Sequence, residues 1–334
     1  MPRPSAYSDL HLICKVSTLY YIHENTQQQI ADRLHISRPK VSRLLREAKE
    51  RNIVRITLSP PPGLHLELEN QLEADFGLEE VQVVDADAEN PGSLKRQIGA
   101  GAASYLARTI QPGESIGLGW GTTLGAMVQS MSHMPVQGIR VVQALGGVGP
   151  PESEAHAAEL VRQMAEVLSA SVSLLQAPGI MATSGARDVL RDDQHVRAAL
   201  SQVDRLDVLY MGISAIGSSA VLHDPHSALP PGTYEELVNA GAVGHVLLRF
   251  FTEKGELVHS SLDELILGIT PEQMRKTRRV VLVAGGKEKV EAMVGVLRSG
   301  YVNVVVTDYL TAEALAERAQ EEPARRQRRP APRP

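Results

Sequence analysis

The sequence predicts a small all-α head followed by a large α/β body built on a mostly parallel sheet, and three observations carry that expectation. Apolar strand-like runs alternate with helical stretches through most of the chain, the pattern of helices layered on a parallel sheet. Pro60-Pro61-Pro62-Gly63 interrupts the pattern near the start, where neither a helix nor a paired strand could continue. Charge divides at the same place. Residues 1–58 hold ten Lys/Arg against five Asp/Glu, residues 59–322 hold nineteen against thirty-four, and the last twelve residues add five Arg and no acid. The net charge of -5 therefore hides a basic head on an acidic body. The expected division is a helix-turn-helix domain over 1–58, a Pro-rich linker over 59–63, an α/β domain over 64–320 and a disordered Arg/Pro-rich tail over 321–334.

Composition narrows the class further. At 334 residues the chain is long enough for two domains, and 43% hydrophobic with 22% charged residues excludes wholesale disorder. The single cysteine, Cys14, has no partner for an intramolecular disulfide. No apolar run approaches the roughly 18 residues needed to cross a bilayer, and MPRPSAYSDL lacks an apolar signal core. A cytoplasmic protein without membrane association is expected.

In the head, Leu12, Val16, Leu19 and Tyr20 recur at helical spacing and predict a helix from about Ser8 to His23. Thr26 is placed to cap a short helix through Leu34, and His35-Ile36-Ser37 makes a turn. Ser37 is placed to cap the next helix, with Pro39 tolerated in its first turn. There Val41, Leu44, Leu45 and Ala48 share one face, leaving Arg38, Lys40, Ser42, Arg43 and Arg46 largely outward. Ile53 to Leu58 alternates like a strand, as the wing of a winged helix would. Two short helices with a three-residue turn and an outward basic face match what the DNA major groove accepts. The expected contact set is Arg38, Lys40, Ser42, Arg43 and Arg46 with Ser37 at the helix start, and Thr26 and Gln27 steadying the backbone. Arg325, Arg326, Arg328, Arg329 and Arg333 read as a solubilising tail.

Past the prolines, Leu64, Leu68, Leu72 and Phe76 mark a linker or packing helix. Strands are expected near Val81–Val84, Ser115–Leu118, Ile139–Ala144, Asp207–Met211, Val246–Phe250, Val280–Val283 and Asn303–Val306. Helices are expected over Leu94–Arg108, Thr122–Met131, Glu154–Leu168 and Glu288–Leu297. The sharpest motif is Ser115-Ile-Gly-Leu-Gly-Trp-Gly-Thr-Thr-Leu124, in which Gly117, Gly119 and Gly121 lead from a strand to a helix opened by Thr122 and Thr123. Glycines let backbone approach an anion, and the helix start supplies unpaired N–H groups, an arrangement that suits a phosphate. It lacks the GKS or GKT of a P-loop and a ribose-binding acid some twenty residues on, which disfavours a nucleotide. Other loops after strands could complete a pocket: Gln143 with Gly146-Gly147, Gly212 to Gly217, Arg249, and Gly285-Gly286 with Lys287 and Lys289. Together they favour a small anionic effector.

Enzymatic readings have less support. No HExxH or CxxC arrangement offers a metal site, and His156, His223, His226, His245 and His259 are scattered. No metal or cofactor is expected. The alternative to a sensor is a sugar-phosphate isomerase or deaminase carrying a DNA-binding head. That needs an acid/base pair, for which Asp207, Asp224 and Glu235 are the available residues.

The segments YYIHENTQQQIADRLHISRPKVSRLLREAKERNIVRI, IGLGWGTTL, VVQALGG, GAVGHVLLRFF and VVLVAGGKEKVEAMVGVLRSGYVNVVVTD make the chain resemble a SorC-family transcriptional regulator, the sugar-binding helix-turn-helix group, from about Leu12 to Ala316. The resemblance implies a body similar in fold to sugar-phosphate isomerases and deaminases but used for sensing. It also implies a phosphorylated sugar as effector and a homodimer or homotetramer binding double-stranded operator DNA. By that analogy Gly119, Gly121, Thr122 and Thr123 hold the phosphate with Lys289, while Gln143, Gly147 and Arg249, on loops after strands, and His245 join the candidate effector set. The chain departs from the family at His245, where many members carry an acidic residue, and at Leu265, often basic in relatives.

Overall fold

Capping groups set the architecture of the head. The computed structural model describes residues 6–57, 61, 63–87, 90–148, 151–223 and 229–321. The chain divides into two compact units, 1–61 and 62–334. In the first, α1 (Ala6–Ser17) runs into a π-helical turn over Thr18–Ile22, so the single helix expected to His23 changes its winding after Ser17. α2 (Gln27–Leu34) starts where Thr26 Oγ1 accepts from the Gln29 N–H at 3.3 Å while Gln29 Oε1 accepts from the Thr26 N–H at 2.8 Å. This reciprocal box is worth on the order of 1 kcal/mol. α3 (Arg38–Glu50) starts at Ser37, whose Oγ accepts from the Lys40 N–H, with Pro39 in the first turn. Ile13, Val16, Leu19, Ile30, Val41, Leu44, Leu45 and Ala48 form the head's core.

The strand expected over Ile53–Leu58 does not form among the described residues. Asn52 turns left-handed at φ 55, and the Ile53 and Val54 N–H groups both return to the Ala48 carbonyl at 2.9 and 3.1 Å. The segment closes the end of α3, and Ile53 and Val54 pack on the head's core while Ile56 is exposed. Leu58 lies outside the described residues.

In the second unit, α4 (Leu66–Phe76), β1 (Glu80–Val84), α5 (Pro91–Thr109), β2 (Ser115–Leu118), α6 (Thr122–Ser130), β3 (Arg140–Gln143), α7 (Pro151–Leu168) and β4 (Ser171–Ser173) follow in order. Then come α8 (Ser184–Asp192), α9 (Gln194–Val203), β5 (Val208–Met211), β6 (Ser214–Ala215), α10 (Ala220–His223), α11 (Thr233–Asn239), β7 (Ala242–Val246), β8 (Arg249–Thr252) and β9 (Leu257–Val258). α12 (Pro271–Lys276), β10 (Arg279–Val283), α13 (Val290–Arg298), β11 (Val304–Asp308) and α14 (Tyr309–Glu321) complete it. Among the described residues, seven strands form one parallel sheet in the order β1-β11-β10-β5-β2-β3-β4. Both faces are covered. Val281 and Val283 join the core under α5, α6 and α7, whereas Val280 and Leu282 join the core shared with α4, α13 and α14. Glu321, assigned to the tail from sequence, is the last residue of α14, and residues 322–334 lie outside the described residues.

The expected strand Val246–Phe250 is instead a hairpin. Leu247 and Leu248, at φ 49 and 61, turn the chain between β7 and β8, and β6-β7-β8-β9 form a small antiparallel sheet. An unbroken apolar run reads as one buried strand, because nothing in Leu-Leu announces positive φ as Asn-Gly would. Similarly, the helix expected from Glu288 begins at Val290, after a 3-10 turn over Lys287–Lys289.

The sheet order places a reversal at its centre. From β2 the chain builds outward to β3 and β4; β5 then returns to the other side of β2, and β10 and β11 continue away from it. A crevice beyond the carboxyl ends of β2 and β5 is where open parallel sheets bind ligands.

Candidate functional site

The basic outward surface of the head is built by α3. Burial of Val41, Leu44, Leu45 and Ala48 turns Arg38, Arg43 and Arg46 fully outward, with Lys40 and Ser42 half-buried at the margin. Among the described residues none of these four cations is held in an ion pair; Arg51 and Glu47, at the far end, pair with each other at 2.5 Å. Thr26, Gln27 and Arg38 line one open depression with Tyr20, Glu24, Asn25 and Gln28. The starts of α2 and α3 thus face one concavity, which the Glu24 carboxylate also lines, and the outward side chains of α3 are exposed.

At the reversal in the sheet, the Gly119 N–H donates to the Tyr210 carbonyl at 2.9 Å and ties the ends of β2 and β5 together. Gly121 takes φ 131, ψ 157, a conformation open to glycine alone, and no side chain caps α6 behind it. Thr122 is exposed and Thr123 buried, so one hydroxyl of the pair faces out. The hairpin tip closes over this turn: a Cβ on Gly119 would come within 3.0 Å of Leu247 Cδ2.

The Gly285–Lys289 turn leaves β10 on the neighbouring side of β5. Asp308, buried at the end of β11, accepts from the Gly286 N–H at 3.2 Å and from Thr311 N and Oγ1 at 3.0 and 2.6 Å. A Cβ at Gly285 would lie 2.1 Å from the same carboxylate. Burial holds the Lys289 ammonium below the usual lysine range, opposed by Glu288, assisted by Lys95 and opposed again by Asp308. A desolvated ammonium beside uncapped helix amides attracts an anion more strongly than a solvated one.

Three sequence-derived pocket residues are engaged elsewhere. Arg249 donates through Nη1 to Asp263 Oδ1 at 3.1 Å and through Nε and Nη2 to the Ile269 carbonyl at 3.3 and 3.2 Å; burial lowers its pKa. Its guanidinium fastens β8 to the loop before α12. Gln143 donates to the Leu145 carbonyl at 2.9 Å. The Gly147 N–H donates to the Ala177 carbonyl and its carbonyl accepts from Gly179. His245 is buried on β7, with Nε2 2.8 Å from Ser219 Oγ and Nδ1 unpartnered. Desolvation pushes its pKa down to about 4, so the ring is neutral at physiological pH. Of the acids available to an enzyme, Asp207 Oδ2 accepts from the Ser115 N–H at the amino end of the strands, away from the glycine turns, and Glu235 is exposed on α11. Asp224 lies outside the described residues.

Sequence reasoning missed Asp308, Thr311, Ser219 and Leu247. For the first two a signal existed: Asp at a strand end with Thr three residues on is a helix cap. Ser219 and Leu247 carry none. Among the described residues no cluster of three or more His, Cys, Asp or Glu could hold a metal ion, and no helix is long and apolar enough to cross a membrane.

A basic helix-turn-helix unit ahead of a parallel α/β unit with glycine turns at its reversal is the layout of a ligand-responsive DNA-binding regulator. Comparison with known proteins agrees. Residues 61–317 match the family described as "Putative sugar-binding domain". The chain is 30% identical over 308 residues to the deoxyribonucleoside regulator of Bacillus subtilis, covering 91% of this chain and 96% of that protein. It is 31% identical over 311 residues to the sorbitol operon regulator of Klebsiella pneumoniae, covering 92% and 98%. The crystal structure of that full-length regulator, SorC, superposes with a TM-score of 0.71 at 29% identity, covering 92% of this chain and 99% of that one. The chain belongs to the SorC family of transcriptional regulators, with a sugar-binding domain as its larger part.

Proposed function

We propose that this regulator binds operator DNA through α3 and that a phosphorylated sugar, seated at the carboxyl ends of β2, β5 and β10, changes that binding. The observation that carries the reading is the pair of turns flanking β5: Gly119–Thr123, opening α6 with uncapped amides, and Gly285–Lys289, bearing a desolvated ammonium. The phosphate goes to Gly121, Thr122, Thr123 and Lys289, with Gly119, its own N–H held by the Tyr210 carbonyl, giving the backbone room to approach it, and the sugar extends under the Leu247 tip toward His245 and Ser219. The names of the relatives, a deoxyribonucleoside regulator and a sorbitol operon regulator, favour a sugar-derived effector. The parallel sheet with its central reversal supports kinship with sugar-phosphate isomerases and deaminases, with sensing in place of turnover. Relatives named as regulators and the placement of Asp207 away from the glycine turns favour sensing.

The working form is a homodimer or homotetramer in the cytoplasm, whose paired heads read a pseudo-palindromic operator with half-sites about one or more DNA turns apart. Ser37, Arg38, Lys40, Ser42, Arg43 and Arg46 contact DNA, with Thr26 and Gln27 on the backbone. Gel shifts test this. Replacing Arg43 and Arg46 by Ala should weaken operator binding at least tenfold, each base or phosphate contact being worth about 1–3 kcal/mol. Sugar-phosphate affinity should be unchanged. Equal DNA affinity in the variant would remove α3 as the reader, and no shift of operator affinity with any sugar phosphate would remove the sensing role.

A further inference from the structure

We propose that His65, Asp85 and Tyr309 form a latch through which the Gly285–Lys289 turn acts on the segment leading to the DNA-binding head; the proposal rests on the sensing role argued above. His65 comes three residues after the proline run, and its side chain is only 19% exposed. Its Nε2 lies 2.6 Å from Asp85 Oδ1, and its ring packs against that of Tyr309, tilted by 38° with centroids 4.5 Å apart. Gly63 sits at φ 86, where a Cβ would approach Asp85 Oδ2 to 2.9 Å. The first residues to enter the α/β unit are therefore pinned at Gly63 and at both sides of the His65 ring. The only covalent route to the head passes through them.

The other end of the latch is the effector turn. Asp85 follows Val84, which is in register with Asp308, so the latch spans the ends of the adjacent strands β1 and β11. Asp308 holds the Gly286 N–H directly, and Thr311 Oγ1 accepts from the same N–H at 2.8 Å. Gly285 cannot shift toward Asp308, since their atoms already meet where a Cβ would stand. Tyr309 is the next residue after Asp308 and the first of α14. A ligand that draws Gly286 toward the crevice pulls on Asp308, tilts the start of α14 and moves the ring on which His65 rests. Asp308 and Thr311 are buried in close packing, which resists continuous deformation and favours two discrete arrangements. Tyr309 Oη donates to Glu313 on the same helix, away from His65, so the ring face rather than the hydroxyl carries the contact.

The test measures coupling rather than binding. Operator affinity of the full chain is determined with and without ribose 5-phosphate, 2-deoxyribose 5-phosphate, fructose 6-phosphate, glucose 6-phosphate and sorbitol 6-phosphate, on a duplex selected in vitro against the full chain. In the unmodified protein the effective probe should change operator affinity by about tenfold or more, within the usual range of allosteric coupling. His65→Ala and Tyr309→Ala should reduce that ratio to below about twofold, whereas Tyr309→Phe, which keeps the ring, should retain it. Sugar-phosphate affinity of the DNA-free protein, and operator affinity without ligand, should each stay within about threefold. Asp85→Asn, a same-size change at an exposed carboxylate, makes the same test should His65→Ala not fold. Unchanged coupling in these variants overturns the latch and leaves the sensing role standing. Loss of sugar-phosphate affinity in His65→Ala overturns it as well, by showing a merely structural role. An unmodified protein that responds to no probe overturns both.

Discussion

The two ends of the parallel sheet are built on opposite principles. At the amino end, Glu114 is buried and accepts from Arg278 at 2.5 Å, from Arg279 at 2.7 and 3.0 Å and from the Gln111 N–H at 3.0 Å. Arg279 also donates to the Thr109 carbonyl, binding α5 to β10. At the carboxyl end Asp308, Thr311 and the Gly286 N–H close on one another, but α6 has no side-chain cap, Gly121 is held in a glycine-only conformation, and Lys289 is desolvated. Where charges satisfy one another the sheet end contributes to stability. Where helix-start amides carry no side-chain cap, the sheet end is left with donors that a bound anion would engage. Arg249, a candidate pocket cation, is closed off instead by Asp263 and the Ile269 carbonyl.

Mutation should separate the two ends, and the largest effect belongs to the amino end. Glu114→Ala leaves the largely buried Arg279, 14% exposed, without its carboxylate and should cost about 2–4 kcal/mol in denaturant unfolding, with sugar-phosphate affinity intact in the folded fraction. A loss below about 1 kcal/mol would end the contrast.

His245 should come next. Its folded pKa of about 4 lies below the ordinary 6.5, so between those values the unfolded chain takes up a proton that the folded chain does not. The stability it permits is complete above pH 6.5 and is lost as the pH falls toward 4, by up to about 3 kcal/mol. His245→Gln should flatten the difference between unfolding measurements at pH 7 and pH 4.5. An unaltered slope would show that the ring is solvated.

Lys289→Ala should have the smallest effect on stability, within about 1 kcal/mol, since removing a desolvated ammonium offsets the loss of its packing. The same change should weaken sugar-phosphate binding by tenfold or more in calorimetry. A large destabilisation with unchanged affinity would place Lys289 with Glu114, as a structural charge.

Much of this contrast was legible before any coordinates. The caps Thr26 and Ser37, the apolar face of α3 and the glycine-to-helix turn at Gly119–Thr122 are local, and each is specified by residues within one or two helical turns of one another. The hairpin at Leu247–Leu248 was not, because its positive φ values carry no local sequence signal and its tip packs near Gly119, some 130 positions away. Nor was the fate of Arg249, whose acceptors Asp263 and Ile269 come from a loop that sequence pattern leaves unplaced. The wing expected after α3 failed for a related reason: alternation at Ile53–Thr57 also fits a chain that folds back onto its own helix end.

The sequence by itself determined that a basic helix-turn-helix precedes an α/β unit, and which turns are rich in glycine, because helix caps, apolar periodicity and charge act over a few residues. Only the tertiary structure decided which polar groups remain available. That depends on partners brought together from distant segments, as Asp308 is to Gly286 and Glu114 to Arg279, and a buried charge is either open to a ligand or closed according to what the fold packs beside it.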